Sequence, residues 1–169
     1  QAELLLAPLV TRVAAAAPNG LIEWVPISAG LPARMSAGEV DLTLALDTTP
    51  LPRGASSEPL MDDTLAVVVR TGHPCGGRWA LADYAAYPSV LIALIGDSTS
   101  DLDTELAARQ LERPVAAIVP NFRAAVQIVA VSDAVTTISR AFAERVAGHI
   151  GLQLIDPPLE NRRLGVVTV

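Results

Sequence analysis

Residues Val119–Arg140 read VPNFRAAVQIVAVSDAVTTISR. Val119 closes an apolar stretch, Asn121 has the side chain of a helix N-cap, and Phe122–Val131 sets apolar residues at helical spacing. Ser132-Asp133 supplies a tight turn. Val135–Ile138 is apolar enough for a buried strand, and a new helix covers Ala141–Ala147. Strand, helix, strand and helix follow one another without a gap, which is the alternation of an α/β fold.

The same alternation extends outward. Leu5, Leu9 and Val13 share one face of a helix over 3–17 that Pro18-Asn19-Gly20 stops. Proline is tolerated in the first helical turn, so Pro8 places the regular start near Ala7. Leu21–Ile27 is expected as a strand, Ser28-Ala29-Gly30 as a turn into a short helix ending near Gly38, and Val40–Leu46 as a strand buried on both faces. Residues 47–59, rich in Pro, Ser, Thr and Gly, read as an exposed connection. Thr64–Arg70 is a buried strand, Gly72-His73-Pro74 a turn, Leu81–Ala86 a short helix and Val90–Ile95 another buried strand. Gly96–Ser100 leads into a helix to about Leu111, Val115–Val119 is a strand, and Leu152–Ile155 and Leu164–Val169 are the last strands, parted by Pro157-Pro158. The alternation predicts parallel sheets with helices on their faces. Two candidate chain crossings, at 47–59 and 157–158, predict two Rossmann-like lobes with a central cleft: lobe I over 1–64 with 157–169 returning to it, and lobe II over 65–156.

Composition narrows the function. Of 169 residues, 51% are hydrophobic, enough for a substantial core, yet no apolar run is long enough to span a bilayer. Nucleic-acid binding needs clustered positive charge; the net charge is −6, there is no lysine, and the arginines are scattered. A single cysteine, Cys75, excludes an internal disulfide and a multi-cysteine zinc site and suits a cytoplasmic setting. No Gly-x-Ser-x-Gly elbow, phosphate loop, dinucleotide fingerprint or His-Glu-x-x-His occurs, so neither enzymatic chemistry nor a cofactor or metal is expected.

Several stretches together resemble the effector-binding domain of LysR-type transcriptional regulators. LLLAPLVTRVAAAAPNGLIEWVPISAG is similar to that family's first helix and second strand, and MSAGEVDLTLALD to its acidic strand segment. EPLMDDTLAVVVRTGHP resembles the strand crossing into the second lobe and its His-Pro turn. LADYAAYPSV, Val119–Arg140 and GLQLIDPPL follow in the family's order. The resemblance implies a type II periplasmic-binding-protein-like fold and a cytoplasmic sensor that binds a small-molecule effector between its lobes. It also implies homodimers or homotetramers, no membrane contact, and DNA contact only through an N-terminal winged helix-turn-helix that nothing here matches. The chain opens inside the family's first helix, so its usual first strand is also expected to be missing. Ser139 stands where many relatives have proline. A solute-binding protein of a transport system shares this fold and is the alternative.

Ligands in open parallel sheets sit at strand carboxyl ends, where helix N-termini present free N–H groups. Three loops fit that description: Ser28-Ala29-Gly30, Ser98-Thr99-Ser100 and Asn121-Phe122. By resemblance these line the effector pocket. Simple N-capping accounts for Ser, Thr and Asn there equally well, and the two roles are compatible. Val126 and Val129 continue the helical face of Phe122 and favour a core role for its ring. Leu46 and Asp47 end a strand and can face the same cleft. Arg34 and Arg123 can meet a carboxylate but read more simply as surface arginines. His73 in Gly-His-Pro reads as a turn residue, His149 as a cation at a helix end, and Cys75 is not read as a nucleophile.

Overall fold

The computed structural model describes residues 2–93, 101–158 and 164–168. The elements run, in chain order, α1 (Ala2–Ala16), α2 (Leu31–Ser36), β1 (Leu44–Leu46), β2 (Glu58–Asp63), β3 (Leu65–Arg70), α3 (Asp83–Ala86), β4 (Ser89–Ile92), α4 (Asp101–Ala107), β5 (Val115–Val119), α5 (Phe122–Ala130), β6 (Thr136–Ser139), α6 (Arg140–Ile150), β7 (Leu152–Ile155) and β8 (Leu164–Thr168). Two compact units result: Gln1–Met61 with Gly165–Val169, and Asp62–Leu164. The chain therefore passes from the first unit to the second within β2.

In the first unit β8 lies between β1 and β2 and pairs antiparallel with β1, Ala45 opposite Val167. Helix α1 starts at Ala2, earlier than Pro8 suggested, and carries that proline inside it. A proline removes a single N–H, here the one that would reach Leu4, and the Ala- and Leu-rich turns on either side sustain the helix. Leu21–Ile27 is outside regular structure, contrary to the expected strand. Pro26 cannot donate to a ladder, and among the described residues no strand pairs with the segment. The expected strand over Val40–Leu46 contracts to Leu44–Leu46, and none of its three residues is fully buried. It is an edge strand, so the reading of burial on both faces fails.

The second unit is built around β3. Ala66, Val67, Val68 and Val69 are wholly buried, each valine contributing roughly 1.5–3 kcal/mol relative to exposure. β3 lies between β6 and β7 and runs antiparallel to both, Leu65 opposite Ser139 and Val67 opposite Ile155. The expected parallel arrangement is thus only partly found. β6 and β7 do run the same way, joined by α6 as a crossover, but β3 enters between them from the other direction. β4 and β5 are parallel. A parallel bridge from Ser89 to Val135, with Val90 N–H donating to Val135 O at 2.7 Å, joins that pair to the chain just before β6. One face of β3 presents Val67 and Val69 to Trp79, Tyr84, Leu102 and Leu106; alternation turns Ala66 and Val68 to the other face. α5 and α6 pack against the strand.

The helices end for local reasons. Asn121 caps α5 and Ser139 caps α6, each accepting a backbone N–H through its side-chain oxygen. Gly151 closes α6 at φ +65°, a left-handed conformation that glycine adopts without steric strain. α4 stops at Ala107, short of the expected Leu111, where Leu111 N–H reaches back to Leu106 O at 2.9 Å and Gln110 turns to φ +58°. β4 covers Ser89–Ile92 and stops before Ala93, whose N–H still donates to Val119 O at 3.1 Å; Leu94 and Ile95 of that expected strand lie outside the described residues.

Tyr84 gives this core a measurable signature. Its hydroxyl meets Thr137 Oγ1 at 2.9 Å, and burial pushes its pKa above the ordinary 10.0 because the phenolate would be desolvated. Tyr84→Phe should cost about 1 kcal/mol near neutral pH. The folded state holds this proton more tightly than the unfolded chain, so the stabilisation is intact below the ordinary tyrosine value and declines above it. Urea titrations of both proteins should show their difference narrowing above pH 10.

Candidate functional site

The three loops selected from the sequence fare differently. Asn121 behaves as expected. It is extended (φ −157°, ψ 162°), exposed, and its Oδ1 accepts from Ala124 N–H at 2.9 Å. The cap uses the side-chain oxygen; the amide NH2, a two-proton donor, takes no part in it. Phe122 is half-buried, with its ring 5.3 Å from that of Phe142, which is fully buried. Part of its ring thus packs on the core. Ala125, Val126 and Val129 continue the same buried face.

Ser28 does not cap. The N-cap of α2 is Gly30, with no side-chain hydrogen bond, and Ser28 contributes only its backbone carbonyl, accepting from Leu31 N–H at 3.0 Å. Pro32 in the first turn already removes one donor that a cap would satisfy. The hydroxyl of Ser28 is therefore uncommitted to the helix, and Ser28, Ala29 and Gly30 are all exposed. Ser98, Thr99 and Ser100 lie outside the described residues. Asp47 packs over β8: its N–H donates to Gly165 O at 2.8 Å, and a Cβ on Gly165 would stand 2.1 Å from Asp47 Oδ2. A side chain at Gly165 would have to displace that carboxylate.

Two of the residues set aside from ligand chemistry, Arg34 and His73, have structural partners, as does Arg113. Arg34 pairs with Glu39 at 3.1 Å on the surface. Arg113 grips Asp103 with both fork nitrogens at 2.7 Å. His73 is buried; its Nδ1 accepts from Cys75 N–H at 3.2 Å, so Nε2 carries the proton and donates to Asp133 O at 3.1 Å. Tyr87 packs edge-on to its ring at 4.6 Å. Asp133 also pairs with Arg70, Oδ1 receiving Nε at 2.8 Å and a terminal nitrogen at 2.7 Å. The His-Pro turn and the Ser-Asp turn, distant in sequence, are thus fastened to each other.

Sequence reasoning missed one constellation. Asp63 is buried at the end of β2, where Oδ1 accepts from Thr64 N–H at 2.8 Å and Ala141 N–H at 3.1 Å, and Oδ2 accepts from the Ser139 hydroxyl. The only available signal was Ser139 itself, which the family resemblance marks as a departure. Its φ of −43° is close to proline's range, and its hydroxyl adds the bond to Asp63. Among the described residues, none of those selected from the sequence as ligand contacts lines the open hollow of 360 Å³ between Met35, Asp41 and Arg53, nor the 220 Å³ hollow beside Leu106 and Arg113. Among the described residues no three His, Cys, Asp or Glu side chains cluster to hold a metal, and no helix is long and apolar enough to cross a membrane.

Comparison with known proteins agrees with this architecture. The family model described as the LysR substrate binding domain matches residues 1–168. The HTH-type transcriptional regulator SyrM of Rhizobium meliloti is 28% identical over all of this chain and 52% of its own length. The chain thus spans about half the length of the curated relatives it matches. The structure of a probable transcriptional regulator from Pseudomonas aeruginosa superposes with a TM-score of 0.87 at 26% identity, over 99% of this chain and 57% of that one. The regulatory domain of MexT, a transcriptional activator of the same species, gives 0.79 at 27% identity over 96% and 81%. The fold is the α/β type II periplasmic-binding-protein-like fold of these regulatory domains.

The two motif junctions separate by substitution. His73→Ala removes a buried ring and two hydrogen bonds and should cost about 2–4 kcal/mol. Asp133→Ala keeps the carbonyl that His73 uses and loses only a partly exposed ion pair, worth about 1 kcal/mol or less after solvent screening. Equal losses in chemical denaturation would contradict the geometry.

Proposed function

The chain belongs to the LysR substrate-binding domain family, and on that premise we propose that it is the effector-sensing part of a cytoplasmic transcriptional regulator. A small molecule is taken up at the helix start Asn121–Phe122, together with the loops Ser28–Gly30 and Ser98–Ser100. The same protein contacts DNA through a segment outside this chain and works as a homodimer or homotetramer. The relatives' names support a regulator over the transport alternative.

The observation that carries the site assignment is the geometry of Asn121. Its oxygen is spent on the helix while its NH2 is not, and the α5 N-terminus adds backbone donors and the positive end of a dipole. Such a start suits a carbonyl, hydroxyl or anionic group on the effector. Binding regulates only if the effector prefers one conformation of the protein over another.

Thermal-shift screening of the full-length protein against metabolites tests the proposal. A true effector should stabilise it by about 2.7 kcal/mol at a hundredfold excess over its dissociation constant. Asn121→Asp keeps a good N-cap but removes the amide donors. It should leave the unliganded melting point nearly unchanged and weaken the response at least tenfold. Bulky replacements at Ser98 or Thr99 should abolish it. A parallel loss on enlarging Ser28 would show that one ligand is read by residues of both units; an intact response there confines binding to the second.

A further inference from the structure

The start of α5 is joined to the passage between the units by an unbroken set of contacts. The Phe122 ring lies 5.3 Å from Phe142 on α6, with the planes at 53°. The backbone N–H of Phe142 donates to Ser139 Oγ at 3.2 Å, and the same hydroxyl donates to Asp63 Oδ2. Asp63 Oδ1 holds the N–H groups of Thr64 and Ala141. Phe142, Ser139 and Asp63 are all buried. Asp63 ends β2, the strand within which the chain changes units. Arg140 reinforces the junction: its N–H donates to Thr64 O at 2.8 Å, its Nε to Thr64 Oγ1 at 3.2 Å, and its guanidinium also reaches Leu65 O and pairs with Asp156.

The chemistry makes this set responsive rather than passive. Asp63 is a carboxylate held by two N–H groups and a hydroxyl at a helix N-terminus, so each bond is charge-assisted. Moving the first turn of α5 presses on Phe142. A shift of Phe142 that carries its backbone along disturbs the Ser139 cap, and that cap shares its hydroxyl with Asp63. We infer that Phe142, Ser139 and Asp63 are positioning residues coupling the α5 helix start to the β2 passage. This rests on the proposed effector contact at Asn121–Phe122 and specifies how occupancy there biases the chain between the units. A contiguous network of packed side chains and hydrogen bonds can carry coupling of this kind.

Amide hydrogen exchange in the full-length protein tests it without any effector, with Thr64 and Ala141 as reporters and Val67–Val69 as internal reference. Ser139→Ala should speed exchange of both reporters about tenfold, as expected for loss of one hydrogen bond to a charged group. Asp63→Asn should do likewise, and Ser139→Thr should restore slow exchange. Phe122→Leu and Phe122→Ala should speed Ala141 severalfold, and in the Ser139→Ala background should add little further, a non-additive cycle. Fully additive effects, unchanged reporters, or acceleration spread equally over Val67–Val69 would overturn the coupling. Because no ligand is present, such a result leaves the effector proposal standing. A metabolite screen without response would defeat the effector proposal and leave the exchange result intact.

Discussion

The complete burial of β3 is the constraint on which the second unit depends. Four consecutive residues, Ala66–Val69, have no exposure, so the strand needs neighbours on both edges and cover on both faces. Strands β6 and β7 supply the edges. A strand so apolar carries no internal marker of register, and a slip of one residue would exchange its two faces. The polar residues at its ends provide the marker. Asp63, just before it, is bound to Ser139 and Ala141, and Arg70, its last residue, is bound to Asp133. Both partners lie on the one stretch from α5 through the start of α6, so that stretch is fastened to β3 at each end.

This arrangement explains why the candidate site is well placed to act on the rest of the unit. α5 is held by its own cap at one end and by the Ser132-Asp133 turn at the other, where Ser132 Oγ donates to Ile128 O and His73 and Arg70 meet Asp133. At its first turn Phe122 touches Phe142. On the coupling inferred above, a ligand at that turn acts through Phe142 and α6 on the end of β2.

The readings that failed did so for lack of partners. Leu21–Ile27 has the apolar and aromatic bulk of a strand, but a ladder needs a second chain segment, and Pro26 withholds a donor. Conversely, Glu58–Asp63 shows no strand pattern in sequence, with two aspartates and a proline, and becomes β2 because β8 lies alongside. β3 was legible as a strand from its valines, but not its antiparallel setting, since alternation of helix and strand says nothing of which strand is inserted between two others. Ser28 shows the same limit at the candidate site: its residue type suits a cap, yet Gly30 takes that position.

What the sequence by itself determined is local and periodic. The cap at Asn121, the buried face of α5, the apolar β3 and the turn at His73 follow from residue types at short spacing, because side-chain shape and helical or strand periodicity act within a few residues. The family resemblance added the fold, since a long series of weak motifs in fixed order constrains topology more than any one of them. What only the tertiary structure decided is which polar groups meet: Asp133 with His73 and Arg70, Asp63 with Ser139, Phe122 with Phe142. Residue types foretell that a buried carboxylate must find donors, but several distant segments could supply them, and the choice falls only when the register of β3 against β6 is set.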